Sequence, residues 1–208
     1  MTGKMLRLGL TGGIATGKTA VATMLRELRF DVLDADSLYH KLIEPCQPAY
    51  NEVVREFGPS VLDNDARVNR AKLAAIVFAD PAKLANLNAI LHPRVEAVIH
   101  QQFAEWAGNG SRDAAFVEAA LLVEAGYQKN LDGLVVTWCR PEQQLERLRA
   151  RGFSDEDAHC RIAAQLPVAE KLSYAREKID CSGSLEETRR QVQALAAKLR
   201  NKTAAPQQ

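Results

Sequence analysis

Short apolar runs alternate with stretches of helical periodicity along this chain. The first run covers about Arg7 to Thr11. After a glycine-rich break, Val21, Met24, Leu25 and Leu28 recur at the spacing of one helix face. Phe30 to Leu33 is a second short run, ending at Asp34-Ala35-Asp36, and Ala114 to Val117 is a third, leading into Glu118. Leu134-Val135-Val136-Thr137 is a fourth and Lys178-Ile179-Asp180 a weak fifth. Continuous apolar runs such as the first and fourth predict parallel strands buried on both faces. Strand signals that alternate with helix signals predict an α/β fold, with helices on both sides of a parallel sheet.

Two stretches break the alternation. Between Ser37 and Trp106, Leu73, Ile76 and Val77 suggest one helix. Leu84, Leu87 and Leu91 suggest a second, and Val95, Val98, Ile99 and Phe103 a third. The stretch is too long for one crossover helix and too apolar for a disordered loop, so it predicts a helical insert beside the loop end of the sheet. Gly108 through Asp113 is a polar connection back to the sheet. After the fourth strand, Gln143 to Arg151 reads as a helix, and Gly152 to Asp157 as a break followed by a helix start at Ser154. The segment after Arg200 is polar and unpatterned and is expected to fray. No internal repeat is evident.

Composition adds bounds. A chain of 208 residues supports one sizeable core with a small extra lobe. Apolar residues at 47% and charged residues at 25% are ordinary for a globular protein. A formal charge of +1 leaves no whole-molecule field to attract nucleic acid or membrane. No apolar stretch is long enough to span a bilayer, and the start lacks the apolar region of a signal peptide. Cys46, Cys139, Cys160 and Cys181 show no zinc-type or C-x-x-C spacing, which suits reduced thiols in a cytoplasmic protein.

The glycine-rich break carries the strongest chemical signal. Gly12-x-x-x-x-Gly17-Lys18-Thr19 fits the phosphate-loop spacing, with a strand before it and a helix after it. Glycines let backbone N–H groups turn toward phosphate oxygens, and the following helix adds its positive end. Lys18 is expected to reach the β- and γ-phosphates of a nucleoside triphosphate, and Thr19 to hold Mg²⁺. The nucleotide-binding set is Gly12, Gly13, Ile14, Ala15, Thr16, Gly17, Lys18, Thr19 and Ala20.

Ligands of open parallel sheets bind at the carboxyl ends of strands, where Asp34, Asp36 and Glu118 fall. Phosphoryl transfer needs a carboxylate near the acceptor hydroxyl, and Asp36 is the candidate. Asp34 could support it or reach Mg²⁺ through water. A lone Asp before Ser37 also reads as a helix cap, but two carboxylates together with a phosphate loop favour chemistry. Glu118 lies where a second-shell Mg²⁺ ligand would stand. Arg147, Arg149 and Arg151 form a basic cluster. At i, i+4 spacing, Arg147 and Arg151 share a face and could meet a polyphosphate, while Arg149 points elsewhere. His92-Pro93 sits between two predicted helices of the insert, and a lone His there is usually structural. Arg70, Lys72, Lys83, Arg94 and His100 offer further positive groups to an anionic acceptor. Cys181 reads as a small buried residue rather than a nucleophile.

From about Leu8 to about Gly183 the chain resembles the dephospho-coenzyme A kinase family. The likeness rests on Gly9-Leu10-Thr11-Gly12-Gly13-Ile14 followed by Thr16-Gly17-Lys18-Thr19, and on Asp34-Ala35-Asp36. Asn69-Arg70, Leu73, Phe78 and Leu91-His92-Pro93 extend it, as do Leu121-Leu122-Val123-Glu124, Gln144, Arg147, Arg151 and Gln165. The phosphate loop alone is widely shared; its combination with Asp-Ala-Asp and Leu-His-Pro is far more specific. The resemblance implies a three-layer α/β/α P-loop kinase fold with a five-stranded parallel sheet. It implies a nucleotide-binding core at residues 1–36 and 107–208, a lid at about 141–175, and a helical acceptor domain at 37–106. The activity implied is transfer of the γ-phosphate of ATP, with Mg²⁺, to the ribose 3′-hydroxyl of dephospho-CoA. Asp36 would be the base and bind substrate, Lys18 and Thr19 would hold phosphate and metal, and Arg147 and Arg151 would be lid charges. Arg70 and His92 would lie in the acceptor domain.

Four positions depart from the family pattern. Ala15 replaces a usual glycine, Ala120 a usual proline, Ala175-Arg176 a common Ala-Asp, and Cys181 a usual Asn near the adenine. The expected partner is the small molecule alone, without nucleic acid or membrane, and the expected state is a monomer or weak homo-oligomer. Rival readings are a shikimate-type or nucleoside-monophosphate-type kinase, a GTP switch and a regulatory nucleotide binder. The long insert disfavours the shikimate-type kinase, and the missing Asn-Lys-x-Asp disfavours the switch.

Overall fold

A computed structural model describes residues 5–109 and 113–204. Gly110, Ser111 and Arg112 of the polar connection, and the tail from Ala205, lie outside the described residues. In chain order, β1 (Leu6–Gly12), α1 (Lys18–Glu27) and β2 (Asp31–Asp34) lead into α2 (Ala35–Leu42), α3 (Tyr50–Phe57), α4 (Arg70–Ala79) and α5 (Pro81–Gly108). Then follow β3 (Ala114–Glu118), β4 (Gly133–Trp138), α6 (Pro141–Arg149), α7 (Asp155–Ala163), α8 (Val168–Ser173), β5 (Ala175–Asp180) and α9 (Leu185–Ala204). The chain divides into two compact units, Met1–Asp34 with Phe103–Gln208, and Ala35–Gln102.

The first unit is built on a five-stranded sheet of order β2-β3-β1-β4-β5, parallel throughout. Its strands are the apolar runs of the sequence, and they are buried because both faces are covered. On one face, Leu8, Leu10, Phe116, Val135 and Ile179 pack against Val21 and Leu25 of α1 and Val192 and Leu195 of α9. Each such side chain contributes about 1.5–3 kcal/mol by leaving water. The other face is crowded: a Cβ added at Gly9 would run into Leu134 and lie 2.8 Å from Leu131 and 2.9 Å from Leu122, so these leucine side-chain ends would have to shift. Register sets Leu10 beside Glu118, and Glu118 beside Asp34, so three strands end level.

The second unit is helical, with Leu38, Val53, Leu73, Leu91, Val95 and Ile99 buried within it. Its helices differ from the sequence expectation in two ways. Helices α2 and α3 precede the three predicted ones; each is only 8 residues long and buries few apolar positions, so periodicity alone does not reveal them. The second and third predicted helices are one helix of 28 residues that runs through Pro93. Proline removes a backbone donor from that turn. One residue on, Arg94 Nη1 donates to the Ile90 carbonyl at 2.5 Å and its Nη2 binds Glu52; the carbonyl that Pro93 leaves without its helical donor is that of Ala89.

Candidate active site

The phosphate loop leaves β1 at Gly12 and enters α1 at Lys18. Gly17 caps that helix in a left-handed conformation, φ 104° and ψ 7°. A Cβ there would sit 2.9 Å from both Cβ and Sγ of Cys181, so only glycine fits. Ala15 also adopts a left-handed backbone, φ 60°. Left-handed residues interrupting the run turn successive N–H groups into one concavity, the shape that receives an anion.

The loop is fastened from several sides. Thr16 is fully buried; its hydroxyl lies 2.8 Å from the Gly13 carbonyl and 2.8 Å from the Thr137 hydroxyl. Thr137, beside Gly12 in the sheet register, donates to the Thr11 carbonyl at 3.3 Å. In the sequence Thr137 is a strand residue, and its one signal is a hydroxyl ending an apolar run. Gln144 Nε2 donates to the Ile14 carbonyl at 2.7 Å, and Gln165 Oε1 accepts the Ile14 N–H at 2.8 Å. The Ile14 N–H is therefore already used within the protein.

Arg147 donates to the Ala15 carbonyl at 3.1 Å and to the Cys181 carbonyl at 2.6 Å. The sequence offers this guanidinium to a polyphosphate; in the structure it also braces the loop. Arg151 is exposed and has no side-chain partner among the described residues. Arg149 turns away, as expected, and forms a two-toothed pair with Asp155 at 2.6 and 2.9 Å.

Lys18 reaches Glu118 Oε1 at 3.0 Å, and Arg26 lies 3.6 Å from the other Glu118 oxygen. Glu118 is thus a buried carboxylate committed to two cations. Thr19 is exposed at the first turn of α1. No group of three or more His, Cys, Asp or Glu able to hold a metal exists among the described residues. A Mg²⁺ ion that arrives with phosphates suits such a site, because Mg²⁺ keeps waters and takes few protein ligands.

Cys181 is buried, as its residue type suggested, and burial pushes its thiol up to about 11 against the opposing Thr188 hydrogen bond and Arg147 charge. Burial likewise raises Cys139, whose Sγ is 3.9 Å from the Ala15 carbonyl. At Ala120 the carbonyl accepts from Thr11 Oγ1 at 3.2 Å and from Lys171 Nζ at 2.7 Å. Lys171 is completely buried and also pairs with Glu124 at 2.7 Å. Arg176 donates to the Asp132 carbonyl at 3.0 Å.

Within the helical unit, Asp36 is exposed in the first turn of α2. Three residues on, Tyr39 stands edge-on to His92, ring centroids 6.2 Å apart. Burial, then the charges of Asp36 and Glu96, push the Tyr39 hydroxyl up to about 12, so it stays a neutral donor. Tyr39 thus links two sequence candidates; nothing in its spacing announced it. Arg70 lies elsewhere, on a cavity of about 360 Å³ lined with His40, Arg67 and Asn69.

A parallel sheet of this order with a phosphate loop after its first strand defines a P-loop kinase. Comparison narrows the class. The family model described as dephospho-CoA kinase matches residues 6–187. The dephospho-CoA kinase of Aquifex aeolicus is 44% identical over 94% of this chain and 98% of its own. That of Symbiobacterium thermophilum is 45% identical over 90% of this chain and 78% of its own. The structure of dephospho-CoA kinase from Campylobacter jejuni superposes with a TM-score of 0.71 at 25% identity, covering 94% of this chain and 98% of the other. The chain belongs to the dephospho-CoA kinase family.

Proposed function

We propose that this protein transfers the γ-phosphate of ATP to the ribose 3′-hydroxyl of dephospho-CoA, giving coenzyme A, the last step of its synthesis. The observation that carries the reading is the match of residues 6–187 to the dephospho-CoA kinase family model, and the phosphate loop, with Lys18 and Thr19 at the head of α1, supports its nucleotide side. Residues 12–20 bind the triphosphate, and Lys18 exchanges Glu118 for phosphate oxygens. Thr19 holds Mg²⁺; the metal, when bound, neutralises charge on the phosphates. Glu118 acts by holding Lys18 and Arg26 rather than by direct ligation. Arg147 keeps the loop in shape, and Arg151 is the remaining lid charge.

On the acceptor side, the unit Ala35–Gln102 is the acceptor domain. Asp36 removes the hydroxyl proton, and Tyr39 and His92 support it. Arg70, with no ion pair among the described residues, meets the anionic part of the acceptor. The protein works as a cytoplasmic monomer or weak homo-oligomer without nucleic acid. The +1 charge supports the absence of nucleic acid, and no described helix is long and apolar enough to cross a membrane.

Incubation with ATP, Mg²⁺ and dephospho-CoA, and in parallel with shikimate or AMP, tests the reading. Phosphate should pass to dephospho-CoA alone; nucleotide binding without that transfer overturns it. Asp36→Asn should lower kcat by about 10²–10⁴-fold, the scale of a lost general base, with ATP affinity within about twofold. Equal loss of both would make Asp36 structural.

A further inference from the structure

The outer side of the phosphate loop is gripped by side chains from one contiguous stretch. Gln165 takes the Ile14 N–H, Gln144 the Ile14 carbonyl and Arg147 the Ala15 carbonyl. The amide orientations are forced, because an N–H needs an oxygen and a carbonyl needs an NH₂. A peptide unit is planar and trans, so its C=O and N–H point in opposite directions. The Ile14 carbonyl shares a plane with the Ala15 N–H, and the Ala15 carbonyl with the Thr16 N–H. By holding these carbonyls, Gln144 and Arg147 turn both N–H groups to the opposite side; the Thr16 N–H there meets the Gly13 carbonyl at 3.3 Å, so the Ala15 N–H is the one this grip presents to a ligand. Against the same loop, Val168 and Gln144 stand 2.8 and 2.9 Å from where a Gly13 Cβ would lie. The grip also holds Ala15 in the left-handed backbone that a residue with a Cβ otherwise avoids.

We infer that Gln144 and Gln165 are positioning residues of the nucleotide site. They shape the turn at Ile14 and Ala15 and so set the direction in which the Ala15 N–H meets the phosphates of the donor. They also tie that geometry to residues 141–175, so the loop is correctly shaped only while that stretch is in place. The inference rests on the nucleotide-binding reading above.

Charge-matched variants test it. Gln165→Glu and Gln144→Glu each add one negative charge beside the loop. At 165 the carboxylate still accepts the Ile14 N–H; at 144 the donor is lost and two oxygens face each other. Equilibrium binding of Mg·ATP to the full chain, without acceptor, should be weaker in Gln144→Glu than in Gln165→Glu by about fivefold or more, the scale of one hydrogen bond. KM for dephospho-CoA should stay within about twofold in both, a split that a merely structural role does not produce. A smaller difference in ATP affinity, or parallel rises in both substrates' KM, overturns the inference. If Gln144→Glu does not fold, the neutral Gln165→Leu decides: it should bind ATP at least about fivefold more weakly than the wild type, and equal affinity overturns the inference. A wild-type chain that binds no ATP removes the nucleotide reading itself, and the inference with it.

Discussion

Ala15 joins two opposing residue-level effects. Its left-handed backbone costs about 1 kcal/mol relative to glycine. Its methyl packs with Leu148 and Ala158, which returns about 0.8 kcal/mol. Ala15→Gly should therefore leave stability within about 1 kcal/mol in urea unfolding, whereas Ala15→Val, branched at Cβ, should lose about 2 kcal/mol or more. The departure from glycine is legible in the sequence, but its backbone angle is not. Cys181 gives a pH-dependent expectation. Its folded pKa of about 11 lies above the ordinary 9.0. The protonated thiol is favoured by the fold, so its contribution is complete below pH 9 and is lost as pH rises through 11. Between pH 9 and 11 the urea midpoint should fall more steeply in the wild type than in Cys181→Ala, and equal slopes would contradict the buried thiol. At neutral pH, an alkylating agent should modify exposed Cys46 and Cys160 well before Cys139 and Cys181.

Among the elements, α8 matters through one buried charge. Lys171 Nζ holds the Ala120 carbonyl and Glu124 Oε1, and that same Glu124 oxygen accepts the Leu166 N–H at 3.0 Å. Lys171→Met leaves a shielded carboxylate unpaired and should cost about 3–5 kcal/mol. Lys171→Met combined with Glu124→Leu should recover much of that, a positive coupling that a double-mutant cycle of urea unfolding would read. Nothing in the sequence marks Lys171 as buried, because periodicity reports apolar faces and is silent on buried charges. The same limit governs α5. Leu84 to Leu91 and Val95 to Phe103 show two helical faces, and nothing in their periodicity records that one helix continues through Pro93.

At the scale of the molecule, the two units carry different reporters. The chain has two tryptophans, Trp106 and Trp138, and both belong to the sheet unit. The helical unit Ala35–Gln102 is small for an independent core. On urea titration, far-ultraviolet ellipticity should begin to fall before tryptophan emission changes, and hydrogen exchange should be faster in α2 to α4 than in β1 and β4. Coincident transitions would show one cooperative unit. By itself, the sequence determined the parallel α/β sheet, the helical insert and the loop from Gly12 to Thr19. These follow from burial periodicity and glycine spacing, properties of a few adjacent residues. Only the tertiary structure decided that Lys18 rests on Glu118, 100 residues away, and that Ile14 is held by Gln165, 151 residues away. Such pairs arise because the order β2-β3-β1-β4-β5 brings distant strand ends together, and a local pattern carries no record of that order.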